Sequence, residues 1–180
     1  MNTTDTEHSG RVLVIAGSDS GGGAGIQADI KAIMAMGGYA MTAITAITVQ
    51  DTTGVHDVHP VPVDTVTAQM RACLTDLGAD TIKTGMLGSA DLVEAIAEAL
   101  DEQAQAVPRI IDPVMVATSG HRLVDRRAVE AISSLLVPHA ALVTPNAPEA
   151  ENLTGKSVDG INGQRRAADA LLNHGAKGVL

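Results

Sequence analysis

The sequence predicts an α/β fold, a mostly parallel sheet covered by helices. Two observations carry this expectation. Short aliphatic runs rich in β-branched residues alternate along the chain with stretches whose apolar residues recur at helical spacing. Several of those runs are apolar without strict alternation, as strands buried on both faces are. The 180 residues show neither a linker nor an internal repeat, which predicts a single domain over residues 11–180, preceded by a short disordered tail over residues 1–10.

In chain order, residues 11–16 (RVLVIA) read as a strand that runs into a glycine-rich loop, GSDSGGGAG, at 17–25. Ile26, Ile30, Ile33 and Met34 then fall at helical spacing, and Gly37-Gly38 ends that helix. Residues 41–49, rich in Thr, Ile and Val, read as one second strand. Residues 50–62 carry Gly54, Pro60 and Pro62 and read as an irregular loop or a small β-excursion.

Val66, Met70, Cys73, Leu74 and Leu77 line a helix with Asp64 as its expected N-cap. A strand is expected at 80–83. Ser89 caps the next helix, with Leu92, Val93, Ile96 and Leu100 as its stripe. A strand at 109–112 meets Pro113. A helix follows from near Asp125 through Val129, Ile132, Leu135 and Leu136. A strand at 141–144, helices near 147–153 and 164–174, and the beginning of a strand at 178–180 complete the pattern.

Composition excludes several classes. With 12 Lys plus Arg against 21 Asp plus Glu, the net charge is −9, and aromatics make up 1% of the residues. Such a chain lacks both the basic patch and the stacking platforms of a nucleic-acid binder. The single cysteine, Cys73, excludes a disulfide framework and a cysteine-based zinc cluster, and its apolar helical face suits an inert core thiol. The N-terminus has no basic or apolar leader segment, and no apolar run approaches the length of a membrane span. The expectation is a soluble cytoplasmic protein with no membrane partner. Charge leaves the oligomeric state open, a homodimer among the options.

In open parallel sheets ligands bind outside the carboxyl ends of the strands, so chemistry is sought there. The loop at 17–25 has the composition of an anion-binding or close-approach loop, although no Lys-Ser or Lys-Thr follows it as in a Walker A loop. Residues 23–28 match G-x-G-x-x-A, but they come too late after the strand for a dinucleotide turn. Gln50 ends a strand; its amide suits a heterocycle edge bearing an amino group beside a ring nitrogen, or it is a solvated terminal residue.

Asp112, before Pro113, suits Mg²⁺, which takes one or two carboxylates plus phosphates, or is a turn residue. Asn146 and Glu149 form Asn-x-x-Glu, a capping box that can also face a metal–phosphate group. His56 and His59 lack a third ligand and read as solvated. Met34, Met36 and Met70 fall on core-facing positions; Met86 sits where it could wall a ligand.

Taken together, the strand-end segments resemble the hydroxymethylpyrimidine/phosphomethylpyrimidine kinases of thiamine biosynthesis, members of the ribokinase-like superfamily. The resemblance is carried by IAGSDSGGGAGIQAD at 15–29, TAITVQDTTGV at 45–55, KTGML at 83–87, IDPVM at 111–115 and TPNAPEA at 144–150, in family order. It implies a ribokinase-like three-layer α/β/α sandwich and ATP-dependent phosphorylation of 4-amino-5-hydroxymethyl-2-methylpyrimidine, then of its monophosphate. By resemblance Gln50 reads the aminopyrimidine edge, and Gly17, Ala24, Met86 and Val114 shape its pocket. Asp112 and Glu149 lie on the Mg²⁺ side and Asn146 lies near the ATP phosphates. Asp29 matches a signature position without an assigned role.

Pyridoxal or pyridoxine kinases share the fold and are the alternative, as is a non-catalytic pyrimidine-binding module. The family pattern continues past Leu180 with a Lys-Gly-Gly segment, a Gly-Thr-Gly anion hole and a catalytic Cys or Asp. None of these stands in the 180 residues. The expectation is therefore an incomplete domain, truncated at its C-terminus, with an unpaired sheet edge and no kinase activity of its own.

Overall fold

The computed structural model describes residues 10–115 and 124–180. The tail expected over residues 1–10 lies outside the described residues, except for Gly10, whose carbonyl accepts the Tyr39 N–H at 3.1 Å.

Among the described residues, five parallel strands form one sheet in the order β2-β1-β5-β6-β7, comprising β1 (Arg11–Ala16), β2 (Tyr39–Ile44), β5 (Thr81–Thr84), β6 (Arg109–Ile111) and β7 (Leu142–Val143). Val179 adds a parallel bridge to Val143. Helix α1 (Gly25–Ala35) returns the chain from β1 to β2 on one face, where Val14, Ala16 and Ile26 form a small apolar cluster. The larger core lies on the other face. There α2 (Val63–Asp76), α3 (Ala90–Gln103) and the segment after α4 (Arg126–Ala131) bury Met70, Ile96, Leu100, Ile132 and Leu136 against Leu13, Ile15, Ile82 and Ile111. Helices α5 (Ala147–Thr154) and α6 (Gly160–Asn173) follow β7. Helices on both faces of a mostly parallel sheet are the α/β/α layering expected from the sequence.

The chain first moves from β1 to β2, then crosses to the other side of β1 to lay down β5, β6 and β7 outward. Adjacent strands β1 and β5 thus send their connections in opposite directions. Their carboxyl ends border the crevice where such sheets bind ligands.

The structure corrects several local expectations. The strand expected at 41–49 is two strands in two sheets: β2, and β3 (Ala46–Gln50), which pairs antiparallel with β4 (Val55–Pro60). The break is at Thr45, whose N–H donates to Ala16 O at 3.0 Å and whose hydroxyl donates to Met86 O at 2.7 Å. Burial falls on Met41 and Ala43, then on Ala46 and Thr48, a one-residue slip of phase that a continuous strand cannot make. The expected excursion at 50–62 is this hairpin, closed by Asp51, which accepts from the Thr53 N–H and hydroxyl at 2.7 and 2.6 Å and faces His56 Nε2 at 3.0 Å. These bonds hold the Asp51 carboxyl far below the usual carboxylate range, the Thr53 contacts contributing most.

Asp64 does not cap α2. The helix starts two residues earlier than that cap implies, behind Pro62 with no side-chain cap, because the proline ring presets the entry; Asp64 sits in the first turn, where the helix dipole favours it. Ser89 and Asp125 do cap, accepting from Leu92 N at 3.3 Å and Ala128 N at 2.8 Å. The helix from Asp125 loosens into a π-helical turn over Ile132–Leu136 and a 3₁₀ turn over Val137–His139, because Pro138 cannot donate to the helical ladder. Met34 and Met36 are exposed (61% and 88%), not core residues, because α1 packs on the sheet through Ile26 and Ile33, and Met36 follows the end of the helix. Met70 is fully buried, and half-buried Cys73 packs on the main core with its thiol pKa pushed up by burial. No helix among the described residues is long and apolar enough to cross a membrane.

Candidate active site

A cavity of about 280 Å³ opens where β1 and β5 end. Six of the eight residues singled out from the sequence line it: Gly17, Ala24, Gln50, Met86, Asp112 and Val114. Sequence positions nearly 100 residues apart meet here because the topology stacks the strand ends side by side. Gly17 leaves β1, Met86 leaves β5, Asp112 and Val114 leave β6, and β3 lowers Gln50 over the opening.

A Cβ on Gly17 would meet the Met86 methyl, so an alanine there would push the end of that side chain aside. Met86 is buried and its carbonyl accepts from the Thr45 hydroxyl, which anchors the backbone from which its thioether walls the cavity. Gly25 has φ +55°, and a Cβ on it would lie 2.5 Å from Gly17 O, the carbonyl that accepts the Ile26 N–H at 3.0 Å. The loop therefore folds directly back onto its own beginning.

The glycine-rich loop is not an open anion cradle. Asp19, buried to 4% exposure, fills it with its own carboxylate. Oδ1 accepts from Gly21 N at 2.8 Å, and Oδ2 from Gly23 N at 2.9 Å and Ala24 N at 2.8 Å. The Asp19 N–H in turn donates to Gln27 Oε1 at 2.7 Å. The amides that composition offered to a phosphate are satisfied internally, which makes the loop a preformed wall. The sequence signal was available, since an Asp ahead of Ser-Gly-Gly-Gly is an Asx-turn pattern.

Lys83 is a second residue that sequence reasoning passed over. In β5 it points away from the face of Ile82, towards α1, and its Nζ sits 3.0 Å from Asp29 Oδ2 and 3.1 Å from Asp112 Oδ2. Asp29, unassigned from the sequence, is thus an ion-pair partner on the cavity floor.

Asn146 and Glu149 do not line the cavity. They form a complete capping box at the start of α5: Asn146 Oδ1 accepts from Glu149 N at 3.0 Å, and Glu149 Oε2 from Asn146 N at 2.9 Å. Glu149 Oε1 also accepts from Met115 N at 3.3 Å, tying α5 to the segment that carries Asp112. Burial pushes the Glu149 carboxyl up, the backbone N–H groups of Asn146 and Met115 oppose this, and the charge of Asp112 adds to the rise. His56 and His59 are exposed, and no cluster of three His, Cys, Asp or Glu side chains occurs among the described residues.

The sequence profile of phosphomethylpyrimidine kinase matches residues 19–180. The chain belongs to the phosphomethylpyrimidine kinase family. It is 46% identical over 171 residues to the hydroxymethylpyrimidine/phosphomethylpyrimidine kinase of Bacillus subtilis, covering 94% of this chain and 62% of that protein. It is 48% identical to the thiamine biosynthesis bifunctional protein ThiED of Geobacter sulfurreducens, covering 95% of this chain and 35% of that one. The chain therefore spans about 62% of the length of the Bacillus kinase. The crystal structure of phosphomethylpyrimidine kinase from Clostridium difficile superposes with a TM-score of 0.88 at 39% identity, over 94% of this chain and 73% of that one. The pyridoxal kinase of Staphylococcus aureus, solved with pyridoxal, superposes with a TM-score of 0.85 at 38% identity, over 95% of this chain and 62% of that one; it has also been solved with AMP-PCP.

Proposed function

We propose that the protein phosphorylates the hydroxymethyl group of 4-amino-5-hydroxymethyl-2-methylpyrimidine with ATP, and then its monophosphate, as a cytoplasmic enzyme of thiamine biosynthesis. The observation that carries this reading is the pairing, in one small cavity, of a single neutral amide, Gln50, with aliphatic and thioether walls from Val114 and Met86. An amide donates and accepts side by side, as the edge of an aminopyrimidine requires. The walls hold the ring by dispersion contacts where no aromatic is available.

Phosphoryl transfer is mainly positioning and charge stabilisation, so the pocket's task is to hold the hydroxymethyl oxygen in line. Asp112 lies at the cavity floor on the side towards Glu149, and this carboxylate side fits Mg²⁺. Glu149 Oε1 and Oε2 each already accept a backbone N–H, and Asp112 Oδ2 pairs with Lys83. The remaining lone pairs suit an ion whose shell is otherwise water and phosphate oxygen. Mg²⁺ there would neutralise charge on the transferred phosphoryl group. Asn146, at the start of α5, would lie towards the nucleotide phosphates.

The kinship with a pyridoxal kinase gives the second reading, in which the same cavity takes pyridoxal. Calorimetric titration with the aminopyrimidine and with pyridoxal separates the two. Tighter binding of the pyrimidine is expected; equal or tighter binding of pyridoxal would overturn the assignment. The 180 residues alone are expected to bind the pyrimidine without transferring phosphate, and ATP-dependent phosphorylation by this chain would contradict that.

A further inference from the structure

The glycine-rich loop is stitched to β3 by two serines. Ser20 Oγ donates to Gln50 O at 2.6 Å and accepts from Gln50 N at 2.8 Å. Ser18 Oγ accepts from Thr48 N at 3.1 Å, and Thr48 Oγ1 donates to Ser18 O at 2.9 Å. The backbone of Gln50 is thus fixed, and only its amide group is left to orient. Thr48 is 5% exposed, lines the cavity, and places Oγ1 3.4 Å from Gln50 Oε1.

A threonine hydroxyl carries one proton and two lone pairs. The Thr48 proton is committed to Ser18 O, the nearer acceptor. None remains for Gln50 Oε1, and two oxygens with only lone pairs between them repel. The two ends of an amide have nearly the same shape, and the surrounding donors and acceptors decide which end points where. Turning the amide end for end sets Nε2 against the free lone pair of Thr48.

We propose that Thr48 is a positioning residue that sets the specificity of the pocket: it accepts a hydrogen bond from Gln50 Nε2 and so fixes Gln50 Oε1 towards the cavity. The inference rests on the pyrimidine reading and deepens it. Oε1 then accepts from an exocyclic amino group, while the second Nε2 hydrogen donates to the adjacent ring nitrogen. A 4-oxo ring presents the reverse pattern, a carbonyl beside a ring N–H. It can be matched only by turning the amide and breaking the bond to Thr48.

The test is calorimetric titration of the 180-residue chain with 4-amino-5-hydroxymethyl-2-methylpyrimidine and with its 4-oxo counterpart, for the unsubstituted chain, Thr48→Val and Thr48→Ser. The unsubstituted chain prefers the amino ring. Thr48→Val, which keeps the shape and removes the hydroxyl, lowers that preference about tenfold, the scale of one hydrogen bond, and Thr48→Ser restores it. An unchanged preference in Thr48→Val, or an equal loss in Thr48→Ser, overturns the inference while leaving the pyrimidine reading intact. Failure of the unsubstituted chain to bind either ring overturns both. A nuclear Overhauser contact between the Gln50 Nε2 protons and the Thr48 side chain is expected in the unsubstituted chain without ligand. Its absence overturns the inference independently of any variant.

Discussion

Lys83 Nζ stands 3.1 Å from Asp112 Oδ2, and the same ammonium lies 3.0 Å from Asp29 Oδ2. One cation thereby ties α1 to the ends of β5 and β6 across the cavity floor. The side chains are 21–30% exposed, so solvent screens the group only in part. Lys83→Met leaves two carboxylates facing each other without a counter-charge. Allowing for that exposure, the expected loss is about 1–2 kcal/mol, read as a lower urea midpoint. Adding Asp29→Asn to Lys83→Met is expected to recover part of it; strictly additive losses would count against the arrangement.

Asp19 saturates the glycine-rich loop by accepting from Gly21, Gly23 and Ala24. In Asp19→Asn an amide NH₂ must face at least one of these N–H donors. The expected cost is about 1–3 kcal/mol, accompanied by faster hydrogen exchange at Gly21, Gly23 and Ala24 and weaker pyrimidine binding. Unchanged exchange at all three amides would show that the loop holds its shape without the carboxylate.

Gly17→Ala is expected to act on the ligand more than on the fold. The new methyl collides only with the flexible end of Met86, its other neighbours being at 3.7 Å. Met86 therefore swings into the cavity, and pyrimidine affinity falls while the melting temperature stays nearly constant. Gly17→Ala combined with Met86→Ala is expected to bind more tightly than Gly17→Ala alone, and the reverse order would refute the steric account.

Arg11 grips Asp80 from the main chain and the side chain: Arg11 N donates at 2.7 Å, Nε at 3.0 Å and NH2 at 2.8 Å, while NH1 reaches Leu77 O. The Arg11 hydrogen bonds hold the Asp80 carboxyl far below its ordinary range. A carboxylate lowered on folding contributes stability that is present above its unfolded pKa, about 3.9, and is lost as pH falls towards the folded value. Melting temperatures of the unsubstituted chain and Asp80→Asn should differ by a constant amount from neutral pH to about 5 and converge below it. Divergence on acidification would contradict the sign.

The sequence carried most of the sheet, because β1, β6 and β7 are aliphatic runs with glycine or proline within two residues of their ends, and that chemistry is local. It carried the cavity residues through motifs at strand ends, since Gly17, Met86 and Asp112 follow the ends of parallel strands and Gln50 ends the antiparallel strand β3. What it did not carry was non-local. The division at Thr45 depends on a buried hydroxyl reaching Met86, 41 positions away, although the three-residue recurrence of Thr42, Thr45 and Thr48 is a poor match to a strand's period of two. The pairing of Lys83 with Asp29 spans 54 positions, and no local pattern announces it. Glu149 and Asn146 illustrate the opposite case. Their spacing announced a capping box, which the structure contains, and both side chains stand outside the cavity lining.

Binding of the aminopyrimidine in this cavity through Gln50 is tested most directly by calorimetric titration of the unsubstituted chain and Gln50→Ala with 4-amino-5-hydroxymethyl-2-methylpyrimidine. The prediction is measurable binding by the unsubstituted chain and a loss of about 10- to 100-fold in Gln50→Ala, the scale of one or two hydrogen bonds. Affinities that agree within about twofold, against that same scale, would contradict the assignment of Gln50 as the residue that reads the ring.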